Sequence, residues 1–476
     1  MTIFTSPIRS ETYKLNSFDA IVSHINALFV VFYRNNHHDP PSFMPAEAMQ
    51  DSFYRTLSRF PILAGDMIQR GDGGLEIVVD QDNLNMPEYH DSTLEDMHFD
   101  DFQSTSFDPR FWPKGLVNVG PVALKDRQSG RIKLLHVNIM RFKDNSGLAL
   151  FINFAHAIGD AVMYKAFGDV WTEEMRAMET GEPAAQIPLL FDRAVVQDSL
   201  PSERTPLDDT TKALLTQPNS EAEKFARLQP HERHSLILER MRQNSGRQNS
   251  LFRIRTEQFG GLVQKVNRCA SSGLRLSTND IVVTLIAKTL AQAYGAVAAT
   301  SGPGHNRQGL LKIDFPCDVR QRLGVPSNYM GNMLLQILTT SPIEQAQSPM
   351  TPQSVAEIAT KVRTALDAAR APLIAEVYDT LEADPTRFTR PMMATNMFQQ
   401  IVSITNQWGA PPFIHDFGYG LPEFVTTAPP FQDAAICILR ARPQTDDMFV
   451  TLTEKPSVLE HVRANKAWSK VAESVF

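Results

Sequence analysis

The residues most suited to chemistry are a histidine and an aspartate four positions apart. They lie in the stretch "FAHAIGDA", where His156 and Asp160 follow a nearly continuous apolar run. An imidazole has a pKa near neutrality, so it can take a proton from a hydroxyl or an amine that attacks a carbonyl group. The alternative is an ordinary core histidine with satisfied hydrogen bonds. In a chain with 12 histidines, this short motif does not decide between the two.

Asp160 also has two interpretations. It can cap the first turn of a following helix, or it can be a buried carboxylate that needs an arginine or several N–H donors to offset the loss of water. Neither interpretation makes it a catalytic acid. A metal site is weakly supported, because the His-Asp pair has no third ligand at a recognisable spacing.

A second conspicuous stretch, "HDFGYGLPEF", runs from His415 to Phe424. Its Asp-Phe-Gly triplet does not indicate a protein kinase, because the glycine-rich loop, Val-Ala-Ile-Lys strand and catalytic-loop motifs do not precede it. Gly418 and Gly420 predict a tight turn with unusual backbone angles, so we interpret the stretch as architecture. The sequence also has no nucleophile elbow, P-loop or dinucleotide fingerprint.

The surrounding sequence predicts the elements that position these residues. Two strand-like runs, residues 132–140 and 148–155, flank a turn-rich segment and predict a hairpin. The second run is apolar at nearly every position, which favours a strand covered on both faces. Beyond Asp160, apolar residues recur every four positions. His156 therefore lies where a buried strand gives way to a helix.

Similar patterns continue along the chain. A helix is predicted over residues 46–58, and Ser277 with Asp280 predicts a capping box before a helix that ends at Gly295. The other predicted elements are strands at 310–316, 333–339, 434–440 and 448–453 and a helix at 354–369. Because helices and strands alternate in both halves, the predicted fold class is α/β.

Composition restricts the class of protein further. The 476 residues are 42% apolar and 21% charged, which is typical of a soluble globular protein, and the net charge of -7 argues against a nucleic-acid partner. Three scattered cysteines favour a reducing compartment. No apolar leader is recognisable at the N-terminus, and the apolar stretch 281–299 is interrupted by Lys288 and Gln292. We therefore expect a cytoplasmic protein that does not associate with a membrane.

Taken in order, these stretches resemble the BAHD acyltransferases, acyl-CoA-dependent enzymes related in fold to chloramphenicol acetyltransferase. The signatures H-x-x-x-D-G and D-F-G-W-G of that family are similar to "HAIGDA" and "DFGYG" here. Ala161 and Tyr419 depart from the usual glycine and tryptophan. The long loops resemble the fungal trichothecene acetyltransferase branch. Five more segments carry the resemblance: "LNSFDAI", "LSRFPILAGDM", "IPLLFDRAVV", "LSTNDIVVTLIAKTLA" and "CDVRQRLGVPSNYMGNM".

The resemblance implies two chloramphenicol-acetyltransferase-like domains, each a mixed sheet flanked by helices, with a channel at their interface. The corresponding ranges are residues 1–196 with the HAIGD motif, a crossover linker over 197–250, and residues 251–476 with DFGYG. It further implies a monomer that takes acyl-CoA as co-substrate and a small-molecule acceptor from opposite faces, without a metal.

The same resemblance implies a role for each motif residue. His156 is the general base, and Asp160 pairs with Arg320 and thereby holds the histidine loop. Asn406 or Trp408 supplies an N–H donor for the oxyanion. Three residues of the second signature support the channel wall: Asp416, Gly418 and Gly420. The motifs do not identify the residues that contact CoA.

We therefore expect transfer of an acetyl or another short acyl group from acyl-CoA to a hydroxyl or amine of a small, largely apolar secondary metabolite. Two alternatives stay open. In the first, the histidine serves the release or transfer of an acyl chain held by an acyl carrier protein. In the second, the channel binds or cyclises a metabolite without acyl transfer.

Overall fold

The structure of the chain is a computed structural model, and its elements are labelled in chain order over the residues it describes. These residues are 7–36, 42–121, 123, 125, 129–207, 246–271, 273–300, 309–384, 401–428 and 435–476. The strands are β1 (Glu11–Lys14), β2 (Asn26–Arg34), β3 (Asp66–Gln69), β4 (Leu75–Val79), β5 (Glu88–Thr93), β6 (Leu135–Arg141), β7 (Gly147–Ala155), β8 (Gln248–Ile254), β9 (Leu310–Asp318), β10 (Leu334–Pro342), β11 (Ile401–Asn406), β12 (Phe424–Thr427), β13 (Ala435–Leu439), β14 (Met448–Glu454) and β15 (Glu473–Ser474).

Helices of very different length accompany these strands. The helices are α1 (Ser17–Ala20), α2 (Ala46–Leu57), α3 (Phe99–Gln103), α4 (Ala161–Thr180), α5 (Ala194–Asp198), α6 (Thr256–Cys269), α7 (Thr278–Thr300), α8 (Arg320–Leu323), α9 (Ile343–Gln347), α10 (Pro352–Ala368), α11 (Ala371–Glu382) and α12 (Pro456–Ala464). The helices predicted over 46–58 and 354–369 are confirmed as α2 and α10.

A five-stranded sheet carries the histidine motif. Its order is β12-β2-β7-β6-β5, in which β5 and β6 pair in parallel and the other neighbours are antiparallel. The predicted hairpin is confirmed as β6 and β7. Every residue of β7 is buried, because the side chains of α2 and α4 pack on one face and a second cluster that contains Phe99, Phe102 and Phe449 packs on the other.

The second large sheet has seven strands in the order β10-β9-β11-β13-β14-β8-β15. β11 runs parallel to both β9 and β13, and the remaining neighbours are antiparallel. The four strands predicted beyond residue 300 correspond to β9, β10, β13 and β14. Together with a three-stranded sheet, β1-β4-β3, these mixed sheets confirm the α/β class.

Two strands do not respect the predicted domain ranges. β12 lies within 251–476, yet it pairs with β2 in the sheet of the N-terminal half, with Phe424 opposite Phe32. β8 begins at Gln248, inside the predicted linker. A chain segment can join the open edge of a distant sheet because that edge offers unpaired backbone groups. Residues 208–245 of the predicted linker lie outside the described residues, and the ranges as folding units stay predictions.

The capping box of α7 is confirmed, but the predicted end of the helix is wrong. The Ser277 backbone N–H donates to Asp280 Oδ2 at 2.7 Å, and the Asp280 N–H donates to Ser277 Oγ at 3.3 Å. The helix continues past Gly295 to Thr300. A β-carbon at Gly295 would lie 2.7 Å from Gln347 Nε2, so this glycine permits close packing and does not end the helix.

α7 is also long and apolar enough to cross a membrane, judged by length and composition. Over Thr278–Ala299 the mean hydropathy is 1.5, but 67% of the window is buried inside the protein. The buried Lys288 ammonium donates hydrogen bonds to the carbonyl oxygens of Gln345 and Ala346. A mostly buried core helix has this same composition, so α7 is weak evidence for a membrane span.

Candidate active site

His156 lies on a short turn between β7 and α4, which we call the histidine turn (residues 156–160). β7 ends at Ala155, and residues His156–Ile158 form a single 3₁₀ turn. The His156 backbone N–H donates to Ile25 O at 2.9 Å, which ties the start of the turn to the segment before β2. Tyr164 packs edge-on against the imidazole, with ring centroids 5.9 Å apart. A rigid strand therefore holds the histidine on one side and a helix holds it on the other.

The imidazole of His156 is half-buried, and its two nitrogens are in different surroundings. Nδ1 is buried and has no hydrogen-bond partner among the described residues. Burial lowers the pKa of His156, while its own carbonyl oxygen and the nearby Asp160 carboxylate oppose that effect. The lowered pKa keeps the ring neutral at physiological pH, as a general base requires.

A second histidine lies near His156. Burial lowers the pKa of His24 to about 4, and repulsion from His156 contributes to the shift. Two imidazoles in one buried region disfavour each other's protonation. No sequence motif marks His24, so its place near His156 was not predictable from the sequence.

Asp160 combines both of its predicted interpretations. As the N-cap of α4, it accepts a hydrogen bond from the Val162 N–H at 3.1 Å. The same carboxylate forms a bidentate ion pair with Arg320, with both N–O distances at 2.9 Å, and accepts from the Met333 N–H at 3.0 Å. Only 2% of Asp160 is exposed, so these four bonds replace its water shell.

Arg320 is equally enclosed. Besides Asp160, its guanidinium donates to the carbonyl oxygens of Tyr329 and Gly331 and to the Asp318 carboxylate. It also lies over the Tyr329 ring, 5.8 Å from the centroid. Arg320 therefore joins the start of α4 to the segment before β10. The pairing that the resemblance implied is present in the structure, and the catalytic consequence assigned to it stays a prediction.

A second buried ion pair lies on the other side of the histidine turn, between Asp19 and Arg193. Asp19 Oδ2 is 3.1 Å from Arg193 Nε, and Arg193 Nη2 donates to Ile158 O at 2.7 Å. Asp19 Oδ1 accepts from the Asn332 backbone N–H at 2.8 Å and from its Nδ2 at 3.0 Å. Asn332 Nδ2 also donates to His156 O at 2.9 Å. The histidine turn is thus held from two sides.

The sequence analysis did not assign roles to Asp19, Arg193 or Asn332. All three lie in segments that carry the family resemblance, "LNSFDAI", "IPLLFDRAVV" and "CDVRQRLGVPSNYMGNM". The only sequence feature that could have indicated these residues is a charged or amide side chain inside an otherwise apolar or turn-forming segment. Spacing could not identify their partners, because 174 positions separate Asp19 from Arg193 in the sequence.

The DFGYG turn (residues 416–420) forms by local contacts. Asp416 Oδ1 accepts from the N–H groups of Gly418 and Gly420, each at 2.8 Å. The φ angles of these glycines are 95° and 101°, which confirms the predicted unusual backbone angles. The hydroxyl of Tyr419 donates to Glu179 Oε1 at 2.7 Å.

The residue before the DFGYG turn attaches it to α4. His415 Nε2 lies 3.1 Å from Asp169 Oδ1, and the Tyr33 hydroxyl donates to His415 O at 2.9 Å. A β-carbon at Gly168 would lie 2.2 Å from the His415 ring, so a glycine is needed where the ring meets the helix. α4 therefore contacts both signature segments, with Asp160 at its start and Asp169 and Glu179 along its length.

Asn406 and Trp408 lie at the end of β11 and just beyond it. Asn406 Nδ2 donates to Asn279 Oδ1 at 2.8 Å, and its Oδ1 accepts from the Trp408 N–H at 3.0 Å. The indole N–H of Trp408 donates to Asp446 O at 3.2 Å. These N–H groups thus bind other protein atoms, while Asn406 keeps a second amide hydrogen. Their role at an oxyanion stays a prediction.

A cavity of about 280 Å³ lies against the five-stranded sheet. Its lining includes Leu28 of β2 and, among the described residues, does not include any of the histidine turn. Most of the lining is apolar: Leu28, Pro109, Trp112, Val117, Val119 and Ala428. No group of three metal-ligating side chains occurs among the residues that the structure describes.

The whole chain was compared with models of known protein families. The model of the transferase family matches residues 2–462, which is nearly the whole chain. The chain therefore belongs to the transferase family, the BAHD acyl-CoA-dependent acyltransferases, and the prediction from the two signatures is confirmed.

Particular relatives are distant. "Anthranilate N-benzoyltransferase protein 2" from Dianthus caryophyllus is 25% identical over 213 residues, which is 44% of this chain and 44% of the relative. The crystal structure of F. graminearum TRI101 with coenzyme A and T-2 mycotoxin is similar over 98% of this chain and 100% of that chain, at 15% identity and a TM-score of 0.75. Vinorine synthase is similar over 97% and 94%, at 16% identity and a TM-score of 0.60. Both structures share the fold.

Proposed function

We propose that the protein transfers an acyl group from acyl-CoA to a hydroxyl or amine of a small molecule, with His156 as the general base. The observation that carries the proposal is the placement of His156. Its ring is half-buried at the end of a buried strand, with Nδ1 enclosed and a lowered pKa. This combination supplies a neutral imidazole whose other nitrogen, Nε2, is available to a ligand.

The reaction needs the tautomer that carries its proton on Nδ1. Nδ1 and Asn332 Oδ1 are both buried without a hydrogen-bond partner among the described residues, and the carbonyl oxygen of His156 and the Asn332 side chain raise the pKa of the imidazole. In the proposal the neutral ring keeps its proton on Nδ1. The lone pair then resides on Nε2.

The oxygen or nitrogen of the acceptor attacks the thioester carbonyl carbon, and Nε2 takes the proton of that hydroxyl or amine at the same time. The new bond forms, and the carbonyl electron pair moves to oxygen, which gives a tetrahedral oxyanion. The oxyanion collapses, the C–S bond breaks, and the CoA thiolate takes the proton from the imidazolium. His156 returns to its neutral state without a change in redox state.

Asp160 serves this chemistry indirectly. Its carboxylate is saturated by Arg320, Val162 and Met333. In the proposal it holds the histidine turn and contributes a favourable field to the imidazolium that forms during the reaction.

We propose a small, largely apolar acceptor, and two comparisons support a small-molecule acceptor. TRI101 structures contain coenzyme A together with T-2 mycotoxin or with deoxynivalenol, and the Dianthus relative is named a benzoyltransferase of anthranilate. We propose an acetyl or another short acyl donor, with oxygen or nitrogen acylation decided by the acceptor.

The first test measures release of free CoA thiol from short acyl-CoA thioesters with a panel of apolar alcohols and amines. His156→Ala is expected to lower kcat/KM by about 100- to 10,000-fold, the usual contribution of a general base. His461→Ala is the matched control, because His461 is exposed on α12. A His156→Ala enzyme that keeps wild-type turnover would contradict the proposal. Turnover only with thioesters of an acyl carrier protein would show that the acyl donor is the carrier protein and not acyl-CoA.

The pH profile provides a second test of the base. Because the pKa of His156 is lowered from the ordinary histidine value of 6.5, Nε2 becomes protonated only as the pH falls below that value. With a pH-insensitive acceptor, kcat/KM is expected to be constant around neutrality and to fall only as the pH decreases below that value. A profile that already falls above pH 7 would assign the limiting ionisation to another group.

A further inference from the structure

Arg193 reaches the histidine turn from residues 187–196, which follow α4 and which we call the connecting segment. Its side chain is 5% exposed. The guanidinium contacts three different parts of the protein: Nη2 donates to Ile158 O, Nε pairs with Asp19, and the group lies 5.5 Å from the centroid of the Tyr329 ring. Arg193 thus binds the histidine turn directly, at the carbonyl oxygen of Ile158.

Backbone contacts hold Arg193 in this place. The Leu190 N–H donates to Asn328 O at 3.0 Å, and the Met330 N–H donates to Leu190 O at 2.8 Å. These bonds pair the connecting segment with residues 328–330 by a short parallel bridge. Gly331 follows directly, and a β-carbon there would lie 2.7 Å from Arg193 Nη1. The segment is therefore packed tightly against the site.

The ion pair also acts on His156 through a second route. Asp19 is fully buried and would carry an uncompensated charge without Arg193. The Asp19 carboxylate in turn orients Asn332, whose Nδ2 donates to His156 O at 2.9 Å. Arg193 is thus connected to the histidine turn at Ile158 directly and at His156 through Asp19 and Asn332.

We propose that Arg193 is a positioning residue for His156, so the connecting segment is part of the catalytic apparatus. This inference rests on the proposed function of His156 as a base. Arg193 does not touch the reacting atoms. It sets the position of the histidine turn, and thereby the distance from Nε2 to the acceptor proton.

The decisive experiment is chemical rescue of Arg193→Ala by guanidinium. Displacement of the turn by about 1 Å is expected to lower kcat by ~100-fold, with KM for both substrates changed little. Millimolar guanidinium, which fits the vacated space and pairs with Asp19, is expected to restore part of kcat. The matched control is Arg141→Ala, since Arg141 forms a bidentate pair with Asp91 (N–O distances 2.9 Å) at the opposite end of the same sheet.

The control separates positioning from general stability. Arg141→Ala is expected to lower the melting temperature without a comparable loss of kcat and without rescue. The positioning role is wrong if Arg193→Ala loses no more kcat than Arg141→Ala. It is also wrong if guanidinium does not restore any of the kcat that Arg193→Ala has lost. Arg193→Lys keeps the charge but cannot reach Ile158 O and Asp19 together. Arg193→Lys is expected to fold and to lose kcat, so it tests the positioning role even if Arg193→Ala does not fold.

A readout independent of turnover distinguishes this inference from the proposed function. The imidazole resonances of His156, assigned by their loss in His156→Ala, are expected to shift in Arg193→Ala and to return with guanidinium. Unchanged resonances would overturn the positioning role even if the enzyme is an acyltransferase. Shifted resonances in a protein without acyl transfer would retain the inference and reject the proposed function.

Discussion

The histidine turn and the DFGYG turn are both short connections that carry a signature sequence, but they are held in different ways. The histidine turn depends on partners far away in the chain, because Arg320 binds Asp160 across 160 positions. The DFGYG turn takes its shape from Asp416, which binds N–H groups two and four positions later, and its contacts with distant segments include the rings packed on Phe417 and the exposed hydroxyl of Tyr419, without a buried ion pair among the described residues. Asp160 is buried, whereas Asp416 is exposed.

This difference indicates what each turn does. A turn held by buried charges and distant segments has its position defined relative to the whole protein, which a proton-transfer residue requires. A turn that is shaped by its own hydrogen bonds and attached by ring packing has a defined shape but contributes no catalytic group in the proposed mechanism. α4 connects them, since Asp160 begins the helix and Asp169 binds His415 before the DFGYG turn.

The largest expected difference comes from removing the aspartate of each turn. Asp160→Ala removes the buried, bidentate carboxylate partner of Arg320 and leaves only the half-exposed Asp318, and is expected to lower the free energy of unfolding by about 3–5 kcal/mol. Asp416→Ala loses only turn bonds at the surface, which is expected to lower it by about 1 kcal/mol. Denaturant unfolding of both variants checks the comparison.

The Asp160→Asn variant is the control for shape, because it keeps the side-chain volume and removes the charge. It is expected to fall between the wild type and Asp160→Ala in stability. Equal losses for Asp160→Ala and Asp416→Ala would show that burial of the ion pair does not distinguish the two turns.

The same contrast explains which features were predictable from the sequence. The capping box of Ser277 and Asp280 and the turn at Gly418 and Gly420 were predictable, because their partners lie within four residues. The ion pair of Asp160 was expected only through the family resemblance. Asp19–Arg193 gave no local pattern at all. Gly295 was wrongly predicted to end α7, because a glycine that ends a helix and a glycine that lies against a neighbouring side chain are identical in sequence.

A smaller difference is expected from adding a methyl group to a glycine of each turn. Gly159 is extended, with a φ of 168°, but a β-carbon there would lie 2.3 Å from Met330 O. Gly159→Ala is therefore expected to cost about 1–3 kcal/mol by overpacking and to lower kcat/KM by up to ~100-fold, because the histidine turn is displaced. Unfolding and steady-state kinetics measure the two effects.

Gly418→Ala is the counterpart on the other turn. Its cost comes from the positive φ of 95°, about 1–2 kcal/mol, since the nearest atom is the flexible carboxylate of Glu179 at 3.2 Å. Its kcat/KM is expected to stay near wild type. A loss of kcat/KM as large as that of Gly159→Ala would place the DFGYG turn in the catalytic apparatus.

The smallest effects are expected at the two departures from the family pattern, Tyr419 and Ala161. Tyr419→Phe removes the hydroxyl bonded to Glu179 at 2.7 Å at a partly exposed site, and is expected to lower the free energy of unfolding by about 0.5–1 kcal/mol. Ala161→Gly, in the first residue of α4, is expected to cost less than about 1 kcal/mol, because alanine is the better helix former. Both variants are expected to keep kcat/KM within about twofold, since the proposed mechanism uses neither the hydroxyl nor the methyl group. A tenfold loss of kcat/KM in Ala161→Gly alone would mean that the alanine restricts the histidine turn. A single methyl group would then affect catalysis at this turn, whereas the Tyr419 hydroxyl would not affect it at the DFGYG turn.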